Sequence, residues 1–203
     1  MLTRHSALEG GFANPVFDAQ ATFRAVMDAM ARPARIVALP CPVAPPGPLH
    51  KAAAAIACTL FDADAGFWLD AHLAGDSALN EWLVFNTGAR PTPIAREAAF
   101  AIVSRPESMP KLDRFSLGTQ EYPDRSSTVI IQLPDLEGGR PFTFEGPGIK
   151  RRATLAPKGL SRDFGDQWLE NRGRFPRGVD LVLTAGERIA CLPRSARLVN
   201  TEG

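Results

Sequence analysis

Four short segments of the chain each contain a continuous run of three or more apolar residues, and they constrain the fold more than any other feature. They cover residues 98–104, 128–133, 180–184 and 188–193. Continuous apolar runs bounded by turn residues are typical of strands buried on both faces, because a strand with one wet face alternates polar and apolar residues. The sequence therefore predicts a central sheet covered on both sides. The last two segments flank an Ala-Gly-Glu turn and predict a hairpin.

Helical periodicity dominates the first half of the chain. The first helix is expected to begin at Asp18 as its N-cap and to end at Pro33, since proline lacks the N–H that a helix needs. Its buried face is predicted from apolar residues at helical spacing, namely Phe23, Val26, Met27 and Met30. Further helices are predicted at 49–60, from Asp76 or Ser77 to Gly88, and from Ser161 or Asp163 to about Gly173, and further strands at 35–39, 67–70, 141–145 and 149–155. This order indicates an α/β or α+β fold with a mixed sheet covered by helices.

Composition and charge exclude several classes of protein. The 203 residues suffice for one large domain or two small ones, and 23 Lys and Arg against 22 Asp and Glu argue against a general nucleic-acid binder. No stretch reaches the roughly 18 apolar residues of a membrane span, and the first ten residues lack the apolar core of a signal peptide. We therefore expect a cytoplasmic protein that binds neither nucleic acid nor membrane.

Recognised catalytic motifs do not occur in the sequence. The cysteines Cys41, Cys58 and Cys191 are too far apart for a zinc or cluster motif, the three histidines are scattered, and there is no Gly-x-Ser-x-Gly elbow. From motifs alone we expect no catalytic residue, no metal site and no cofactor.

The Gly-Pro-Gly-Ile segment at 146–149 is followed by three cations at 150–152. A glycine turn beside cations can hold a phosphate group through backbone N–H groups and positive charge. The candidate anion ligands here are Gly146, Gly148, Arg151 and Arg152. The turn precedes a strand and matches neither Walker A nor Gly-x-Gly-x-x-Gly, so a β-turn with an exposed basic strand start is the alternative interpretation.

Two further arginine-rich segments are candidates. Arg172, Arg174 and Phe175 are candidate contacts for a partner protein, and Arg177 is a candidate anion ligand, although cations at a helix C-terminus also offset the macrodipole. Arg194 follows the last predicted strand, where open α/β sheets place ligand groups, and it is a candidate anion ligand unless it pairs with an acid. The polar segment 121–128 could form the lip of a site or a capped turn.

Five sequence elements, in this order and over nearly the whole chain, resemble the PhnH family of the bacterial carbon–phosphorus lyase system. They are 11–16 with the helix at 23–33, Glu-Tyr-Pro-Asp at 121–124 before 127–129, Gly-Pro-Gly-Ile at 146–149, Phe-Pro-Arg-Gly-Val-Asp-Leu at 175–181, and Leu-Pro-Arg at 192–194. Where the family usually has Pro-Gly after the first helix, this chain has Pro33-Ala34.

The resemblance implies one domain over residues 1–203 with a three-layer α/β fold, a mixed sheet flanked by helices. This fold is similar to the large domain of pyridoxal-phosphate-dependent transferases, with the cofactor site lost, and is usually dimeric. It also implies a core complex with subunits G, I and J that processes alkylphosphonates. An early step in that system displaces adenine from ATP and gives a ribose 1-alkylphosphonate 5-triphosphate. The later radical cleavage of the C–P bond is assigned to subunit J.

Three roles within that system follow from the residues and the resemblance. The chain could be an accessory subunit that organises its partners, which the missing catalytic motifs favour. It could instead contribute arginines to a shared nucleotide or phosphonate site. A third alternative, an independent pyridoxal-phosphate enzyme, would need a Schiff-base lysine, for which Lys150 or Lys158 are the candidates.

Overall fold

The computed structural model describes residues 8–199, so most of the segment behind the signal-peptide expectation lies outside the described residues. The helices are α1 (Pro15–Ala31), α2 (Lys51–Leu60), α3 (Ala71–Ala74), α4 (Ser77–Thr87) and α5 (Phe164–Gly173). The strands are β1 (Val37–Ala38), β2 (Gly66–Leu69), β3 (Arg90–Pro91), β4 (Phe100–Val103), β5 (Thr128–Gln132), β6 (Phe142–Glu145), β7 (Ala153–Leu155), β8 (Asp180–Ala185), β9 (Arg188–Leu192) and β10 (Arg197–Leu198). Single 3₁₀ turns lie at Ala95–Glu97, Pro106–Ser108, Leu112–Arg114 and Pro123–Arg125.

Seven strands form one mixed sheet in the order β1-β9-β8-β5-β4-β2-β3. The five strands β8, β5, β4, β2 and β3, which are neighbours in that order, are parallel to one another. Strand β9 runs antiparallel to β8, and β1 runs antiparallel to β9. The predicted β8–β9 hairpin is confirmed, with Leu183 opposite Ala190. All four apolar segments lie in this sheet, as the sequence predicts.

Both faces of the sheet are buried. Successive residues of a strand point to opposite sides, so each strand contributes side chains to both faces. Ile102, Ile130 and Val182 pack with apolar residues of α1, α2 and α4. Their neighbours along the same strands pack on the other face, against a second sheet of order β10-β6-β7 and against α5. The second face is thus covered by one helix together with a small antiparallel sheet, which the expectation of helices alone did not include. There the alternating strand β6 turns Phe142 and Phe144 inward, where their rings contact Phe164 and Trp168 of α5.

Helix α1 differs from its prediction at its start and in its buried face. It begins at Pro15, whose fixed φ suits the first helical position, and Asp18 in the first turn accepts a hydrogen bond from the backbone N–H of Asn14 at 2.9 Å. The buried positions are Thr22, Val26 and Ala29, with Met30 partly buried against the same core. The expected inward orientation of two other residues is wrong: Phe23 is 47% exposed and Met27 is 51% exposed.

The remaining elements follow the sequence with small changes. Helix α4 is confirmed, with the Asp76 side chain accepting from the N–H of Leu79 and Gly88 in the left-handed region at its end. Helix α5 is confirmed as well, whereas α2 begins two residues later than expected and only the last three residues of 149–155 form a strand. The sequence did not predict α3, β3 or β10. No helix among residues 8–199 has the length and apolar character needed to cross a membrane.

Candidate functional site

A groove of about 540 Å³ lies between the end of α1 and the segment that joins β6 to β7. Five cationic side chains line it: Arg32, Arg35, Lys150, Arg151 and Arg152. We call this feature the basic groove. All five residues are exposed to solvent, so the groove presents one sign of charge over a concave surface.

Gly148 explains why two distant parts of the sequence meet in this groove. Its φ is +80°, and a Cβ at this position would lie 2.0 Å from the carbonyl oxygen of Ala31. Only glycine permits so close an approach in this conformation. The backbone of the turn therefore rests on the end of α1, and the cations that follow it come beside Arg32 and Arg35.

Close backbone contacts also show what Gly146 and Gly148, both candidate anion ligands, contribute to the structure. Gly146 has a φ of +141°, and a Cβ there would lie 3.1 Å from the carbonyl oxygen of Ser195. Both glycines thus serve close packing against the protein's own backbone, and the positive charge of the groove comes from side chains.

Two of the five cations are held by carboxylates. The guanidinium of Arg32 pairs with Asp28 one turn earlier in α1. Arg152 donates from Nε to Glu145 at 2.9 Å, and Arg197 reaches the same carboxylate at 3.4 Å. Within residues 8–199, no carboxylate lies within salt-bridge distance of the other three cations of the groove: Arg35, Lys150 and Arg151.

A second surface combines exposed aromatic rings with arginines. The guanidinium of Arg125 lies 4.2 Å from the ring centroid of Tyr122, and that of Arg172 lies 4.5 Å from the ring centroid of Phe175. Both rings are about half exposed. These four residues define the aromatic–arginine edge, where cation–π contacts keep the two rings in place.

The aromatic–arginine edge lies where β5 and β8 begin. The Tyr122 segment directly precedes β5, the Phe175 segment directly precedes β8, and the N–H of Gly178 donates to the carbonyl of Leu117 at 2.9 Å. Arg177 is exposed in the same loop. The structure therefore brings two predicted segments together at the amino edge of the parallel strands.

Two polar atoms near this edge are buried without a hydrogen-bond partner among the described residues. They are Nε of Arg172 and Oδ1 of Asp113. The carboxylate of Asp113 also has Arg174 at 3.9 Å, which is beyond hydrogen-bond length. Arg174 thus contacts the protein's own acid, whereas Phe175 next to it remains half exposed.

Arg194 is held inside the protein. Its Nε donates to Asp180 Oδ1 at 3.1 Å, its second terminal nitrogen pairs with the other oxygen of that carboxylate, and its first donates to the carbonyl of Pro123 at 2.5 Å. Because β9 runs antiparallel to β8, the end of β9 lies beside the start of β8, where Asp180 is. Arg194 is therefore far from the carboxyl ends of the parallel strands, where α/β sheets place ligands.

At the carboxyl ends of β2 and β5, buried polar side chains are engaged in internal hydrogen bonds. After β2, the buried carboxylate of Asp70 accepts from the backbone N–H groups of Leu73, Ser104 and Arg105. At the end of β5, the buried side chain of Gln132 accepts from the N–H of His50 at 2.6 Å. The polar groups at these strand ends are thus engaged in holding neighbouring loops.

Burial keeps the three thiols protonated near neutral pH. It raises the pKa of Cys41 to about 11, that of Cys58 to about 12 and that of Cys191 to about 12. A thiol must ionise to act as a nucleophile or metal ligand. Among the residues that the structure describes, there is also no group of three His, Cys, Asp or Glu side chains placed to hold a metal ion.

Sequence reasoning missed two residues of the basic groove, Arg32 and Arg35. Arg32 looked like part of a solvated helix face, and Arg35 looked like the first residue of a strand. The only signal was the glycine at 148, which can indicate a close backbone approach but does not say to which element. The partner of Arg194 was missed as well, although Asp180 begins the predicted strand beside it.

Comparisons with known proteins add to this geometry. Residues 10–199 match the family model described as "Bacterial phosphonate metabolism protein (PhnH)". The chain is 48% identical over 198 residues, 98% of both chains, to a Rhizobium meliloti (strain 1021) protein named alpha-D-ribose 1-methylphosphonate 5-triphosphate synthase subunit PhnH. It is 33% identical over 87 residues, 43% of this chain and 44% of the relative, to HtxG of Stutzerimonas stutzeri, whose name contains the words C-P lyase subunit.

Proposed function

The chain belongs to the PhnH family of bacterial phosphonate metabolism proteins, and on that basis we propose that it is an accessory subunit of a carbon–phosphorus lyase core complex. In this role it supports the formation of a ribose 1-alkylphosphonate 5-triphosphate from ATP and an alkylphosphonate. The observation that carries the proposal is the 48% identity over 98% of both chains to a relative named as a subunit of such a synthase.

The accessory role is supported by how this chain uses its polar groups. Asp70 and Gln132 at the carboxyl edge hold loops, and Arg194 holds the start of β8 through Asp180. The three thiols are protonated at neutral pH because burial raises their pKa values. These groups stabilise the fold, so chemistry on the substrate falls to partner subunits.

The aromatic–arginine edge is the surface that we propose for contact with partner subunits G, I and J. Tyrosine, phenylalanine and arginine are enriched where protein interfaces have their energetic centres. Here Arg172 and Arg125 lie over the rings of Phe175 and Tyr122, so both half-exposed rings are fixed before a partner binds. Arg177 in the same loop adds a charge at the margin.

Self-association is a further part of the proposal. The outer face of α1 exposes the apolar side chains of Val16, Phe17, Phe23 and Met27. Exposed apolar patches of this kind mark protein interfaces, and a two-fold dimer is the commonest closed assembly. We propose that a cytoplasmic homodimer of single-domain chains enters the larger complex, with a fold similar to the large domain of pyridoxal-phosphate-dependent transferases.

The arginine-contribution alternative is favoured by one observation, the basic groove, and is developed below. The pyridoxal-phosphate alternative has weaker support, because Lys150 and Lys158 are both exposed to solvent. A visible absorbance band after addition of pyridoxal phosphate, removed by Lys150→Ala or Lys158→Ala, would favour it.

Co-purification tests the proposed function. A tagged chain would be recovered from phosphate-starved cells and its partners identified by mass. We expect subunits G, I and J in fixed proportion with the wild-type chain. Phe175→Ala should reduce that recovery at least tenfold, whereas the matched control Phe85→Ala, an exposed ring on α4, should not. A clean homodimer without partners would contradict the subunit role.

A further inference from the structure

We infer that the basic groove binds the polyphosphate chain of a nucleotide-type ligand. The anion site is argued from the geometry of this chain, and the choice of a triphosphate as its ligand rests on the proposed function. Five cations from two separate segments of the chain line one shallow, open groove of about 540 Å³. Ligand sites are concave and commonly have volumes of roughly 300–1,000 Å³.

The charge balance of the groove favours a polyanion. Asp28 and Glu145 compensate Arg32 and Arg152, which leaves three cations without a carboxylate in salt-bridge distance among residues 8–199. Like charges lining one cleft focus a positive potential and concentrate anions there. A triphosphate carries three or more negative charges, and guanidinium groups bind phosphate oxygens through paired N–H donors.

The helix dipole does not account for so many cations. The C-terminus of α1 carries a partial negative charge equivalent to about half an electron, which a single cation offsets. Arg32 is already the C-cap residue of α1, and three of the other cations come from residues 150–152, outside the helix. The turn at Gly148 brings them there through a contact that only glycine allows.

The open shape of the groove suits an extended, flexible anion. The cations line this groove together with the less exposed residues Pro33, Ile149 and Ala153. A flexible phosphate chain can follow such a groove and meet side chains on both walls. The aromatic–arginine edge, by contrast, exposes half of each ring outward and suits a protein partner.

Calorimetric titration of the full chain with inorganic tripolyphosphate at low ionic strength tests the inference. We expect Arg35→Ala and Arg151→Ala each to weaken binding about tenfold, and orthophosphate to bind at least tenfold more weakly than tripolyphosphate. Arg162→Ala is the matched control, because it removes the same charge from an exposed arginine outside the groove and should change the affinity less than twofold. All three arginines are exposed, so thermal unfolding should not change.

Two results of the titration would overturn the inference, and co-purification supplies a third. One is equal weakening by the groove variants and by Arg162→Ala, which would mean attraction to net charge only. The other is no binding of tripolyphosphate at millimolar concentration. Co-purification of the same variants separates this inference from the proposed function. If the groove variants lose partner subunits but keep tripolyphosphate affinity, the groove contacts protein and the inference fails. If they bind tripolyphosphate as expected but the wild type recovers no partners, the proposed function fails and the site remains.

Discussion

Ala34 has a backbone φ of +63°, a conformation that L-residues avoid because Cβ crowds the carbonyl oxygen. It follows Pro33 at the end of α1, and its N–H donates to the carbonyl of Cys191 at 3.0 Å. We expect Ala34→Val to lower the free energy of unfolding by about 2 kcal/mol or more, because a β-branched side chain is a genuine outlier at positive φ. Urea unfolding measures the difference.

Two further variants bracket this prediction. Ala34→Gly should change stability by less than about 1 kcal/mol, because relief of the strain is offset by greater freedom of the unfolded chain and the loss of a buried methyl group. Ala38→Val is the matched control, since Ala38 is exposed in β1 and β-branched residues suit strands. Equal losses at positions 34 and 38 would mean that backbone strain is not the cause.

The Arg194–Asp180 pair belongs to the fold, and its removal should destabilise the protein. The two side chains are only 15% and 20% exposed, and Arg194 also donates to the carbonyl of Pro123. We expect Arg194→Ala to cost about 2–4 kcal/mol, because it leaves a largely buried carboxylate without its cation. Chemical denaturation measures this loss, and Arg162→Ala provides the exposed control.

A double-mutant cycle isolates the pair. The combined Asp180→Ala and Arg194→Ala variant should lose at least about 1 kcal/mol less than the sum of the single variants, since each single change already breaks the interaction. Strict additivity would show that the two side chains act independently. An Arg194→Ala variant as stable as the wild type would show that Arg194 has no structural role and is available to bind a ligand.

At the scale of elements, the start of α2 connects pH to stability. His50 precedes the helix, and its N–H donates to Gln132 at the end of β5. Burial lowers the pKa of His50 from its usual 6.5. Between that lowered value and about 6.5 the unfolded chain binds more protons than the folded one, so the free energy of unfolding falls as pH falls through this window.

We expect His50→Asn to flatten the dependence of unfolding free energy on pH between 7.5 and 5. The difference should stay below about 1 kcal/mol, because the imidazole is partly exposed and solvent screens it. Identical slopes in wild type and His50→Asn would assign the dependence to other groups.

Helix α1 shows how far periodicity alone can be used. Residues 23, 26, 27 and 30 have helical spacing, but a helix with apolar residues on two sides offers more than one stripe to bury. Tertiary packing selected the stripe of Thr22, Val26 and Ala29, whose two small side chains allow close contact with the alanines of α2. The sequence predicts that α1 exists, but its orientation depends on the surface that it meets.

Across the whole molecule, the central sheet was easier to predict from the sequence than the layers that pack on it or the candidate functional sites. Doubly buried strands have a strong local signal, so β4, β5, β8 and β9 were found where the sequence places them. Two-residue strands such as β3 and β10 have no such signal, because their pairing depends on a neighbour. The basic groove was half predicted for the same reason, since Gly148 and Ala31 are over a hundred positions apart.

The outer face of α1 leads to a prediction about assembly. Phe23 and Met27 lie outside the core, so replacing both with serine should spare the folded monomer, whereas Val26→Ala should cost about 1–2 kcal/mol. If this face joins two copies, sedimentation should show a dimer for the wild type and a monomer for the double variant. The melting temperature of the wild type should then rise with protein concentration, and that of the double variant should not.

Phe85→Ser gives the comparison that makes this prediction specific. Phe85 is 66% exposed on α4, so its loss removes a similar apolar area from a different face. A dimer that survives Phe85→Ser and dissociates with the α1 double variant places the interface on α1. A double variant that remains dimeric rules this face out. In that case the outer face of α1 would be free to contact a partner subunit. Loss of co-purification by the same double variant would show that contact.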